Sequence, residues 1–172
     1  MDQNRNEIIR PNSIVLATGG SDGASFAARA AADLSRKTGA QLRVAHAWRH
    51  NLRGLGYPTV AWTDYSYLDE REARRVILTQ VDALEEAGDL FTEPHLLQGT
   101  PVDAILDLCE ELHPGLLVMG SRGLGILGRA RLGSVSTDVL RAARGPVLIH
   151  ALPAGESAPS AAREHAPERV VS

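Results

Sequence analysis

The feature that most narrows the fold is an alternation. Five short aliphatic runs, "SIVLAT" (13–18), "QLRVAHAW" (41–48), "PHLLQG" (94–99), "GLLVMG" (115–120) and "PVLIH" (146–150), are separated by stretches with apolar residues at helical spacing. Runs this short and continuous suit buried strands. Strands that alternate with helices pair in parallel, and the crossover helices cover both faces of the sheet. The expected class is α/β, a single five-stranded parallel sheet with helices on both faces. Alternation alone does not order the strands.

Punctuation between the runs supports the same reading. Ser21 stands where it can cap a helix running to about Thr38, with Phe26, Ala27, Ala30, Ala31 and Leu34 on its inner face and Gly39 as a left-handed stop. A helix from about Tyr67 to Ala87 places Val76, Ile77, Val81 and Leu84 inward. Thr100, Pro101 and Asp103 make a helix start: a capping hydroxyl, a proline in the first position and an acid in the first turn. That helix carries Val102, Ile105, Leu106, Cys109 and Leu112 on its apolar stripe. A last helix is expected over 134–144.

Bulk properties exclude several function classes. A chain of 172 residues suits one domain. With a net charge of -3 and only 4% aromatic residues, it has neither the basic footprint nor the stacking platforms of a nucleic-acid binder. No apolar run approaches the roughly 20 residues of a membrane helix. The start "MDQNRNEIIRP" is polar and does not read as a secretory signal. One cysteine forms no internal disulfide, in keeping with a cytoplasmic location. The expected organisation is a flexible start over 1–11, a domain over 12–152 and a disordered Ala/Pro/Ser-rich tail over 153–172.

Chemistry concentrates in "GSRGLGILGRARLGS" (120–134). Gly123, Gly125 and Gly128 match the dinucleotide fingerprint, but that motif belongs after the first strand with an acid about 20 residues on, and neither condition holds. Gly128, Gly133 and Ser134 match part of the Walker pattern, but its lysine is absent. The spacing of Gly120, Gly123, Gly133 and Ser134 fits a third device. Two bare glycines let the backbone leave the fourth strand close to a ligand. Gly133 and Ser134 open the last helix, whose free N–H groups and dipole favour an anion. Arg129 and Arg131 lie in the arch between, and Arg122 is either a phosphate ligand or a solvated turn residue.

With its flanks, "GSRGLGILGRARLGSVSTDVLRAARGPVLI" resembles the ATP-binding signature of the universal stress protein family. "IVLATGGSDGASFAARAAADLSRKTGAQLRVAHAW" and "GTPVDAILDLCEELHPGLLVMGSRG" are similar to that family's earlier segments. The resemblance spans roughly 12–151. It implies a Rossmann-like sheet in the order 3-2-1-4-5, with a ligand crevice where the winding reverses between strands one and four. It also implies that Gly120, Gly123, Gly133 and Ser134 hold the phosphates and ribose of ATP, or of ADP or AMP, with Mg²⁺ or Mn²⁺ carried by the phosphates. Thr18, Gly19, Gly20 and Ser21 of the first turn, with His46 and Ala47, would flank the adenine. Met119, Ser121, Arg122, Val135 and Ser136 complete the implied site. The family commonly has an aspartate where this chain has Gly19, so one polar contact to adenosine is missing. A homodimer through Pro146, Val147, Leu148, Ile149 and His150 is also implied.

The resulting expectation is a nucleotide-binding stress-response protein in which ATP is a regulatory ligand. The alternatives are a slow ATPase or phosphotransferase, and a dimeric interaction protein that has lost nucleotide binding. The remaining candidates have plainer explanations. His46 reads as a packed strand residue before it reads as a base. His113 sits at a helix end where a dipole contact explains it. Cys109 reads as core, and the histidines show no metal-ligand spacing. The aromatics Trp48, Tyr57, Trp62, Tyr65 and Tyr67 lie in or beside a long loop that either lids the site or packs on the sheet end.

Overall fold

The computed structural model describes residues 11–20, 22–49, 66–87, 92–121 and 132–151. Apart from Pro11, Asn12 and Ala151, the chain ends lie outside them. The elements run β1 (Ser13–Ala17), α1 (Asp22–Thr38), β2 (Gln41–Trp48), α2 (Ser66–Glu86), β3 (Thr92–Gln98), α3 (Pro101–Leu112), β4 (Leu116–Gly120), α4 (Ser134–Ala142) and β5 (Val147–His150). All strand pairs are parallel, and the sheet order is β3-β2-β1-β4-β5. Both the class and the order match the expectation. No helix among the described residues is long and apolar enough to cross a membrane.

Strand alternation divides the core into two halves. Ile14, Leu16, Leu42, Val44 and Val118 face α1 and α2, where Ala27, Ala28, Ala31, Ile77, Val81 and Leu84 meet them. Val15, Ala17, Ala45, Leu117 and Met119 face α3 and α4, against Ile105, Leu108 and Val139. Each fully buried aliphatic side chain contributes on the order of 1.5–3 kcal/mol, so β1, buried at every residue, is the spine of the domain.

Three local expectations need correction. The inner face of α1 is rotated towards alanine: Ala24, Ala27, Ala28, Ala31 and Ala32 are buried, whereas Phe26, Ala30 and Leu34 are only half-buried. Small side chains let α1 lie close over β1 and β4. Phe26 instead reaches the β5 side, where its ring stacks on His150 at 6.4 Å, with the Arg29 guanidinium 5.6 Å from its centroid. Thr100 occupies the N-cap of α3 with Pro101 in the first turn, but its hydroxyl makes no cap bond. It is hydrogen-bonded to the Asp103 carboxylate instead. The edge strand starts at Val147, and Pro146 contributes only its carbonyl, which accepts the Leu117 N–H at 3.0 Å.

The helix stops are built two ways. Gly39, at φ 73°, donates its N–H to the Ser35 carbonyl at 2.8 Å, a left-handed stop that glycine makes without steric cost. His113 does the same for α3 at φ 45°, donating its N–H to Cys109 O at 3.0 Å. A side chain in that conformation carries a conformational cost that glycine does not.

Candidate functional site

In a parallel sheet every strand ends on the same edge, and every following helix begins there. The order 3-2-1-4-5 adds a reversal between β1 and β4, which opens a crevice at that edge. A cavity of about 120 Å³ lies there. Ala17, Thr18 and Gly19 form its wall at the end of β1, and His46 and Ala47 at the end of β2. Met119 and Gly120 end β4, while Val135 and Ser136 lie in the first turn of α4. A space of this order accommodates about one aromatic ring.

The turn after β1 is held by a small polar network. The Thr18 N–H donates to Ala45 O at 2.9 Å, the last ladder bond before β1 and β2 separate. The His46 ring then takes over, with Nδ1 2.9 Å from the Thr18 carbonyl oxygen. A carbonyl only accepts, so Nδ1 carries the hydrogen. The Thr18 hydroxyl accepts the Gly20 N–H at 3.3 Å and donates to Gln80 Oε1 of α2 at 3.4 Å. Gly20 has φ 68°, and a Cβ there would approach Val76 Cγ1 to 2.9 Å. The turn therefore needs glycine at position 20 and leans on α2.

Among the described residues, no side chain caps the tip of α4. Gly133 is its N-cap, with no side-chain cap bond, and Ser136 Oγ donates back to the Gly133 carbonyl at 3.0 Å. Among the described residues, no side chain takes up the first N–H groups of the helix, the kind of group that favours an anion. Ser134 is exposed and Gly133 half-buried at this tip, and neither lines the cavity. Ser121 is buried and donates its N–H to the His150 carbonyl at 2.9 Å, which ties β4 to β5.

Gly120 lines the cavity, but its missing side chain serves packing first. A Cβ there would lie 2.5 Å from the Gly23 carbonyl oxygen and 2.7 Å from Gly23 C. The bare position lets the end of β4 meet the start of α1. Ser21, Arg122, Gly123, Arg129 and Arg131 lie outside the described residues, as do Tyr57, Trp62 and Tyr65 of the aromatic stretch. Trp48 closes β2, its carbonyl accepting the Gly99 N–H at 2.9 Å.

Four lining residues were not among the sequence candidates: Ala17, Ala24, Pro101 and Ile105. Pro101 and Ile105 bring α3 to the pocket, a role hidden behind their reading as helix start and core. The usable signal was topological, since α3 follows β3 and must begin at the same edge. Cys109 lies deeper on α3, and burial pushes its thiol pKa up, away from reactivity. Among the described residues no three His, Cys, Asp or Glu side chains are grouped to hold a metal ion.

The family model described as the universal stress protein family matches residues 11–150. The universal stress protein in the QAH/OAS sulfhydrylase 3' region of Thermus aquaticus is 36% identical over 136 residues, 79% of this chain and 96% of that protein. Among solved structures, a universal stress protein in complex with cAMP superposes with a TM-score of 0.63 at 27% identity, covering 81% of this chain and 97% of the other. The universal stress protein from Archaeoglobus fulgidus in complex with dAMP gives 0.58 at 28% identity, covering 80% and 96%.

Proposed function

The chain belongs to the universal stress protein family, and from that premise we propose that it binds an adenine nucleotide, ATP foremost, as a regulatory ligand in a cytoplasmic stress response. The observation that carries this reading is the crevice between β1 and β4: a ring-sized space edged by the ends of β1, β2 and β4 and by the first turn of α4, which no described side chain caps. The base would enter between Ala47, Ile105 and Val135, and the phosphates would extend towards Gly133, Ser134 and the N–H groups behind them. Gly120 and Gly123 would complete the phosphate side, with Mg²⁺ or Mn²⁺ arriving on the triphosphate. Two related proteins crystallised with cAMP and dAMP support an adenine nucleotide as the ligand class.

Gly19 supplies the test. It lines the pocket where the family commonly has aspartate, and it is not among the glycines with positive φ, so an Asp there meets no left-handed strain. A restored carboxylate contributes about 1.5 kcal/mol through a charge-assisted hydrogen bond to the ligand, or about tenfold in affinity. Calorimetric titration with ATP should give a dissociation constant about tenfold lower for Gly19→Asp than for the wild-type chain. An affinity that stays the same or weakens in a folded variant counts against adenosine lying beside the first turn.

We further propose a homodimer through β5. Among the described residues this strand pairs with β4 alone, and Leu148 on it is 36% exposed. An aliphatic edge strand invites a second copy to cover it. Sedimentation equilibrium should read a dimer for the wild type and a monomer for Leu148→Lys; a monomeric wild type at micromolar concentration rejects the interface.

A further inference from the structure

We propose that Gln80 of α2 is a positioning residue for the nucleotide pocket: by accepting the hydrogen of the Thr18 hydroxyl, it holds the turn after β1 in the shape the ligand meets. The inference rests on the nucleotide reading above and deepens it.

Thr18 and Gly19 belong to the cavity wall. The Thr18 backbone is tied to β2 twice, by its N–H to Ala45 O and by its carbonyl to the His46 ring, each at 2.9 Å. Those bonds fix the end of β1, and the Thr18 side chain governs the turn beyond it. Its hydroxyl donates to Gln80 Oε1 at 3.4 Å and accepts the Gly20 N–H at 3.3 Å. A hydroxyl has one hydrogen, so committing that hydrogen to α2 presents the oxygen lone pairs to the turn. Thr18 is buried. A buried hydroxyl deprived of its acceptor is costly; it turns towards another partner, and the Gly20 N–H loses its own.

Val76 supplies the steric half of the same device. It lies one helical turn before Gln80, so the two share a stripe of α2, and both are half-buried. A Cβ on Gly20 would come within 2.9 Å of Val76 Cγ1. A hydrogen bond to residue 18 and a packed methyl group against residue 20 therefore bracket Gly19 of the pocket wall. Gln80 itself does not line the cavity. Its link to the pocket runs through a contact between residues 62 positions apart in the chain.

A double-mutant cycle with two readouts tests this. Gln80→Met keeps the length and helix propensity of the side chain and removes the acceptor; Thr18→Val keeps the branched shape and removes the hydroxyl. Hydrogen exchange of the Gly20 amide reads the turn in the ligand-free chain, and calorimetry reads ATP affinity. In Gln80→Met the Gly20 amide should exchange about fivefold faster and ATP should bind about fivefold more weakly, the size of one neutral hydrogen bond. In a Thr18→Val background the same substitution should change neither. Gln80→Glu still accepts the hydroxyl hydrogen and should keep the wild-type exchange rate. Thermal melting checks that each variant is folded. Gly20 exchange or ATP affinity that stays at the wild-type value in folded Gln80→Met overturns the proposal while leaving nucleotide binding standing. So does an equal loss of affinity in both backgrounds. A wild-type chain that binds no ATP overturns the nucleotide reading and this proposal with it. If Thr18→Val does not fold, Gln80→Met against Gln80→Glu decides: equal Gly20 exchange in the two overturns the proposal.

Discussion

Gly120→Ala is expected to remove about 3 kcal/mol of folding stability, at the upper end of the usual cost of overfilling a packed site. The added methyl group would sit 2.5 Å from Gly23 O, 2.7 Å from Gly23 C and 3.1 Å from Ala24 N. All three are backbone atoms at the start of α1, so no flexible side chain can move aside. Relief requires shifting α1 away from β4, and α1 is anchored over the sheet by Ala27, Ala28 and Ala31 in the core. For a domain of this size each kcal/mol corresponds to about 2–4 °C in melting temperature, so calorimetric melting should show a drop of about 10 °C. Gly145→Ala is the control: a Cβ there meets nothing within 4 Å, and its melting temperature should stay close to wild type. Equal stability of the two variants would show that β4 and α1 do not meet as described.

Val135→Trp should abolish nucleotide binding while leaving the domain folded. Val135 is half-buried in the first turn of α4 and lines the cavity. It packs only partly into the core formed by Val139, Ile105 and Met119. An indole at this position takes the ring-sized space the base would occupy, and a ligand that cannot seat its base loses the contacts that give it affinity. The expected effect is a loss of at least about 100-fold in ATP affinity, or about 2.7 kcal/mol, at a melting temperature near wild type. Unchanged affinity in the folded variant would place the ligand elsewhere.

How much of this was legible in the sequence depends on the range of the interaction. Strands announced themselves because burial on both faces leaves continuous aliphatic runs such as "SIVLA" and "LLVMG". Helix stops were equally plain, since Gly39 adopts the left-handed conformation that its residue type suggests. The inner face of α1 was misread because periodicity rewards the largest side chain, Phe26, whereas close packing over β1 and β4 selects alanine. The Thr100 hydroxyl had two acceptable partners, and sequence cannot choose between a backbone N–H and the Asp103 carboxylate. Strand order came from family resemblance and not from the residues themselves. The part of α3 in the pocket, Pro101 and Ile105, followed from that order but was not drawn from it. Gly120 was singled out for an open approach to a ligand, yet its contact is with Gly23, nearly a hundred positions away in the chain. No local pattern encodes that contact.

The central claim is that an adenine nucleotide occupies the crevice between β1 and β4. Its most direct test is a titration of ATP into the isotopically labelled wild-type chain, followed residue by residue by backbone amide NMR. The account predicts saturable shifts centred on Thr18–Gly20, His46–Ala47, Gly120–Ser121 and Gly133–Ser136, with the β3 edge and the carboxyl half of α2 unmoved. Shifts centred away from these four segments, or none at all at millimolar ATP, would contradict it.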